Sequence, residues 1–187
     1  MKLQPWLVAL LLVVAPVAVY WNSLHAPFVL DDRPVVLENP SIRALWPLSG
    51  PLSPPAGGLP VSARPVANLS FALNHAIGGE AVEGYHALNL ALHVLAGLVL
   101  FGVLRRTLAQ PVVPEKFRLH ADGLALAVAA LWALHPLQTA AVTYVSQRTE
   151  LLASFFYLLT LYAFSRSAAK VEPDLRPSPS LWPAGRA

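Results

Sequence analysis

Three groups of polar residues stand out against an otherwise apolar chain, and each permits a definite chemistry. Asp31 and Asp32 lie side by side in HAPFVLDDRPVVLENP. Adjacent carboxylates resist ionising together, and desolvation holds a proton on the more sheltered one, so such a pair can supply a general base near neutral pH. The same pair ahead of Pro34 also suits a turn or a helix cap. The second group is Tyr85, His86, Asn89 and His93 in GYHALNLALHVL. His86, Asn89 and His93 follow an i, i+3, i+7 spacing, which places them on one face of a helix. A polar face on an apolar helix is expected either to line a cavity or to hydrogen-bond to a neighbouring helix. Imidazoles are good metal ligands, but the chain has no HExxH or comparably tight set, so no metal is assigned. The third group, ALHPLQTAAVTYVSQRTELLA, contains His135, Gln138, Arg148 and Glu150. The planar fork of Arg148 suits a phosphate, since it donates paired hydrogen bonds. It equally suits an ion pair with Glu150 or an interfacial anchor, and Arg64 in SARPVANLSFALN has the same two readings.

These groups must be positioned by a very apolar chain. Of 187 residues, 56% are hydrophobic and only 12% charged, with mean hydropathy +0.54, against roughly 45–50% apolar in soluble domains. A bilayer span consumes about 20 residues. The expected fold class is therefore an all-α integral membrane protein of about four transmembrane helices, with a long outer-side loop carrying a short amphipathic helix. The spans are placed at about residues 5–21, 86–104, 121–136 and 150–165, the loop at 22–85, and a disordered cytoplasmic tail at 166–187. The first apolar run follows Lys2 and lacks an Ala-x-Ala site, which favours an uncleaved anchor over a signal peptide. In the loop, LSGPLSPPAGGLP cannot hold a regular helix, whereas Val66, Leu69, Ala72, Leu73, Ala76 and Ile77 recur at helical spacing between Ser62 and Gly79. That stripe predicts a helix lying on the membrane.

Orientation follows from the positive charges. With a cytoplasmic amino terminus, nine (Lys2, Arg105, Arg106, Lys116, Arg118, Arg166, Lys170, Arg176, Arg186) fall inside and four (Arg33, Arg43, Arg64, Arg148) outside. All three polar groups then share the periplasmic or lumenal side. The absence of cysteine excludes disulfides and Cys-based metal centres. The net charge of +3 is scattered without a basic patch or an aromatic RNA-binding signature, which excludes nucleic acid as a partner. Uncharged span centres argue against a transporter. Asn68-Leu69-Ser70 fits the N-glycosylation pattern.

Four segments taken in order carry a resemblance: NSLHAPFVLDDRPVVLENPSIR, RPVANLSFALNHAIGG, YHALNLALH and LWALHPLQTAAVTYVSQRTELLASFFYLLTLYAF. Over about residues 5–165 the chain resembles the amino-terminal membrane region of TMTC-like proteins, transmembrane and tetratricopeptide-repeat proteins of the type C glycosyltransferase class. The resemblance implies transfer of a sugar, typically mannose, from a polyprenyl-phosphate carrier to a Ser or Thr hydroxyl of an acceptor protein. It matches the family's acidic pair to Asp31 and Asp32, with Asp31 the first choice for the base in an inverting displacement. Arg64 and Arg148 become candidates for the lipid phosphate, and His86, Asn89, His93, His135, Gln138 and Glu150 for the polar lining. No cofactor is required, and the implied partners are the bilayer, the lipid-linked sugar and the acceptor protein, with another membrane subunit as a further candidate. The family continues into further spans and 34-residue repeats, of which this chain shows none, so it corresponds to the amino-terminal membrane portion alone. The alternative reading is a noncatalytic membrane subunit that binds a polyprenyl lipid or a partner membrane protein. The expected location is a multi-pass membrane protein of the bacterial inner membrane, or of the endoplasmic reticulum in a eukaryote.

Overall fold

The computed structural model describes residues 4–171, and among these the regular structure is helical throughout, with no strand. Helix α1 (Pro5–Tyr20) opens on a proline, whose fixed φ and missing N–H suit a first helical turn. It continues through a 3₁₀ turn, Trp21–His25, as one apolar stretch of 21 residues. After the loop come α2 (Pro65–Gly78), α3 (Val82–Leu108), a single turn α4 (Glu115–Arg118), α5 (Ala121–Leu134), α6 (Thr139–Thr143) and α7 (Arg148–Val171). Three helical stretches are long and apolar enough to cross a membrane, Pro5–His25, Val82–Leu108 and Val145–Ala168. They become four if the bent pair Ala121–Leu134 and Pro136–Thr143 counts as one span. The second span is longer than the apolar run 86–104 because a helix continues past both edges of its hydrocarbon-matched segment. The last helix likewise continues beyond residue 165 to Val171; of the expected tail, residues 172–187 lie outside the described residues.

Pro136 explains why Ala121–Leu134 and Pro136–Thr143 meet at a bend of 50°. Having no N–H, it cannot continue the ladder, and the Leu137 N–H turns back to His135 Nδ1 at 3.2 Å. The Ala133 carbonyl, which the Leu137 N–H would cap in an unbroken helix, is left over. Ala133 is buried, so a protein donor must take that place. His93 of α3 takes it, with Nε2 2.9 Å from the Ala133 oxygen. A carbonyl only accepts, so Nε2 carries the proton.

Helix α3 packs against α1, α5 and α7. Toward it α5 turns a stripe of small residues, Ala121, Ala125, Ala129 and Ala133, all buried, which allows close helix approach where no hydrophobic drive exists between spans. Gly97 meets Ala133 and Trp132, and Gly102 lies so near Tyr162 of α7 that a Cβ there would come within 2.9 Å of its ring. Away from these contacts large apolar side chains face outward, Leu11, Leu131, Ile77 and Phe164 among them, a surface suited to lipid.

The segment between α1 and α2 is a packed layer rather than an open loop. Val35, Val36, Ile42 and Val61 form a core with Phe71 and Ala72 of α2, Tyr85 of α3 and Val145. Asn39 and Asn68 tie it together: Asn39 Nδ2 donates to Asn68 Oδ1 at 2.9 Å, and Asn68 Nδ2 donates to Ser41 Oγ at 2.9 Å and to the Pro51 carbonyl at 2.8 Å. Asn68 is fully buried on a helix, so its sequon offers no acceptor in the folded protein. The apolar stripe of α2 lies mostly on its outward side. Ala67, Asn68, Phe71 and Ala72 turn inward, whereas Val66, Leu73 and Ile77 are exposed. The periodicity therefore marked mainly the outward side.

Replacing His93 with Leu strands the Ala133 carbonyl and is expected to cost about 1–3 kcal/mol, read as a lower thermal unfolding midpoint in detergent. His93→Gln, which keeps a donor, should recover part of the loss; an unchanged midpoint for His93→Leu would contradict the assignment.

Candidate functional site

The two adjacent aspartates have opposite environments. Asp32 is fully buried, and its carboxylate accepts from two backbone N–H groups, Ser146 at 2.7 Å and Val29 at 3.2 Å. It thereby ties the loop after α1 to the turn before α7, across more than a hundred residues of sequence. Asp31 is exposed. Its N–H donates to the Tyr144 hydroxyl at 2.9 Å, and among the described residues its carboxylate accepts no hydrogen bond. The residue before it, Leu30, sits at φ 43°, in the left-handed region that a branched apolar residue rarely occupies. Such strain persists only where the surroundings dictate it, and here the Asp32 and Tyr144 contacts hold the turn from both sides. A second residue of this kind, Ala63 at φ 59°, directly precedes Arg64.

Beneath the turn lies Arg148, the first residue of α7, completely buried. Its guanidinium donates from Nε to Asn89 Oδ1 at 2.8 Å, from Nη1 to the Ser70 carbonyl at 3.2 Å and from Nη2 to the Tyr85 carbonyl at 2.9 Å. The Phe71 ring centroid lies 4.3 Å from its central carbon and that of Tyr85 5.7 Å away, close enough for cation–π attraction. Among the described residues no carboxylate pairs with it; Glu150 instead pairs with Arg64, at 3.8 Å. The Arg148–Glu150 ion pair open in the sequence is therefore replaced by Arg64–Glu150, because α7 sends residue 148 inward and residue 150 to the surface.

The polar face of α3 is brought together as its spacing predicts, and each member holds a different backbone. His86 Nε2 donates to the Ala26 carbonyl at 3.0 Å, while His86 Nδ1 is buried without a partner. Asn89 Nδ2 donates to the Tyr144 and Val145 carbonyls at 3.2 and 3.3 Å. His93 serves the break after α5. His135 is exposed at the bend and Gln138 half-buried beyond it, and neither hydrogen-bonds to the aspartates or to Arg148. Among the described residues no three His, Asp or Glu side chains converge as metal ligands.

Arg64 stands at the mouth of a cleft of about 260 Å³ between α2 and α7, lined by Pro65, Val66, Leu152, Ala153 and Phe156. It is exposed, and Nη1 donates to the Pro60 carbonyl at 2.6 Å. A cation over an apolar cleft can hold the phosphate of a lipid whose chain lies below. Sequence reasoning had singled out Arg64 and Arg148 alike; only burial separates the exposed one from the enclosed one. It passed over Asn39, Ser146 and the backbone strain at Leu30, and read Asn68 only as part of a sequon.

Comparison with known proteins found no matching family model and no matching solved structure. Curated relatives do match. The chain is 35% identical to the Drosophila melanogaster protein O-mannosyl-transferase Tmtc1 over 154 residues, covering 79% of this chain and 17% of that protein. It is 32% identical to human protein O-mannosyl-transferase TMTC3 over 165 residues (84% and 17%) and 32% identical to human TMTC1 over 173 residues (88% and 18%). The chain is TMTC-like, and it spans about a sixth of the length of these relatives. With its apolar helices, this makes it a membrane protein.

Asn89→Leu removes the acceptor for Arg148 Nε and should cost about 1.5–3 kcal/mol, as for a hydrogen bond to a charged group. Arg148→Met should then cost less in the Asn89→Leu background than alone, with a coupling of about 1 kcal/mol or more. Strictly additive losses in a double-mutant cycle would contradict the shared network.

Proposed function

We propose that this TMTC-like chain forms the part of a membrane enzyme that meets the lipid-linked donor, transferring a sugar, mannose first among candidates, from a polyprenyl phosphate to a Ser or Thr hydroxyl of a protein. The observation that carries this reading is the unequal fate of the aspartates: Asp32 is spent on two backbone N–H groups, and Asp31 is left exposed with a free carboxylate on a strained turn. The names of the relatives support the reaction class. The face bearing Asp31, Arg64 and His135 is then the periplasmic or lumenal one, with the amino terminus cytoplasmic.

In this reading the Asp31 carboxylate takes the proton from the acceptor hydroxyl as that oxygen attacks the anomeric carbon. The bond from sugar carbon to phosphate oxygen breaks on the opposite face, its electron pair leaves on the lipid phosphate, and the configuration inverts. Arg64 meets the negative charge on the departing phosphate, and the cleft beside it takes the first units of the polyprenyl chain. Arg148 does not touch substrate; it positions the turn from below. A general base contributes about 10²–10⁴ in rate, and stabilising the leaving phosphate supplies a further share.

The test is Asp31→Asn in the membrane-inserted protein, assayed with polyprenyl-phosphate mannose and a Ser/Thr acceptor peptide. Transfer should fall by about 10²-fold or more with insertion and thermal midpoint unchanged, and Arg64→Gln should raise KM for the donor more than it lowers kcat. Undiminished turnover in Asp31→Asn would overturn the assignment and leave the noncatalytic subunit as the better reading.

A further inference from the structure

At the far end of α3 from Asp31, a groove of about 610 Å³ runs between α3 and α7, floored by Leu95, Leu98, Phe101 and Leu159 and closed by Arg106 and Tyr162. Twenty residues separate His86 from Arg106, a rise of about 30 Å in a helix, so this groove is separate from the aspartate turn. Its length from Leu95 to Arg106 is about 16 Å, close to one leaflet of a hydrocarbon core roughly 30 Å thick. The two arginines at its mouth differ. Arg105 Nε donates to Asp122 Oδ1 at 2.7 Å and is neutralised. Arg106 is half-buried and held in place by Ser165: Nε donates to the hydroxyl at 3.2 Å and Nη2 to the carbonyl at 3.1 Å, with the Tyr162 ring centroid 5.9 Å away. Among the described residues it has no carboxylate partner, and its Nη1 donates to none of them.

We propose that this groove binds an anionic glycerophospholipid, with the phosphodiester on Arg106 and one acyl chain along Leu98, Leu95 and Leu159. Charge complementarity favours this occupant over another apolar helix, because a helix would bury the Arg106 charge without neutralising it, whereas a lipid phosphate at the leaflet edge supplies the missing anion. Basic pockets between spans bind anionic headgroups on the same principle. The bound lipid bridges α3 and α7. That contact matters because no residue of α7 from Leu152 to Ala168 is fully buried, whereas α3 buries nine.

The experiment compares diazirine-bearing phosphatidylglycerol with the matching phosphatidylcholine in vesicles holding the purified protein, and maps the labelled peptides. Phosphatidylglycerol should label the segments 95–106 and 159–165 at least about fivefold more than phosphatidylcholine. Arg106→Gln should abolish that preference and Arg106→Lys keep most of it. Leu159→Trp, which fills the groove and leaves the charge in place, should suppress labelling by both lipids and carries the test if Arg106→Gln does not fold. Equal labelling by the two lipids, a preference that survives Arg106→Gln, or a groove that takes no label from either would each overturn the proposal.

Discussion

The whole arrangement depends on a buried guanidinium that, among the described residues, has no carboxylate partner. Removing Arg148 from water is costly, and a lone buried charge is ordinarily expelled or neutralised. Here the cost is offset by an amide oxygen from α3, carbonyls from α2 and α3, and two aromatic faces. Those groups come from separate elements, so the charge can be satisfied only when α2, the start of α3 and the start of α7 have all assembled. Arg148 thus acts as a condition on assembly, and the turns beside it inherit its precision.

From that point order spreads outward through backbone groups. Asn89, which accepts from Arg148, donates to the carbonyls of Tyr144 and Val145. The next residue, Ser146, gives its N–H to Asp32, while Tyr144 receives the N–H of Asp31. The backbone that carries the exposed carboxylate is therefore connected to the buried arginine by a short series of hydrogen bonds. At the other end of the same polar face, His93 repairs the helix that Pro136 breaks. A single helix face performs structural work at both depths and leaves the chemistry to the layer above it.

Much of this was legible in the sequence, and the parts that were not share a cause. The apolar runs gave the all-helical membrane fold and the bounds of α1, because a span announces itself by composition alone. The i, i+3, i+7 spacing brought His86, Asn89 and His93 to one face, since helical periodicity is local. What those residues touch is not local: Ala26, Tyr144 and Ala133 lie 40 to 60 residues away in the chain. Two arginines of identical chemistry, Arg64 and Arg148, became distinguishable only through burial. The α2 stripe marked a face that turns outward, but hydropathy alone could not show that Ala67, Asn68 and Phe71 hold the opposite side in the core. The Asn39–Asn68 contact was missed because it joins two segments whose sequences carry no periodic signal between them.

The account stands most directly on the claim that neighbouring carboxylates have been sorted into one buried tie and one free group. Carbodiimide-driven amidation of the folded protein in vesicles, quantified for each aspartate by peptide mass spectrometry, measures that sorting without reference to any substrate. The account predicts rapid modification of Asp31 while Asp32 stays protected until the protein is unfolded. Equal modification of the two in the folded state, or faster modification of Asp32, would contradict it.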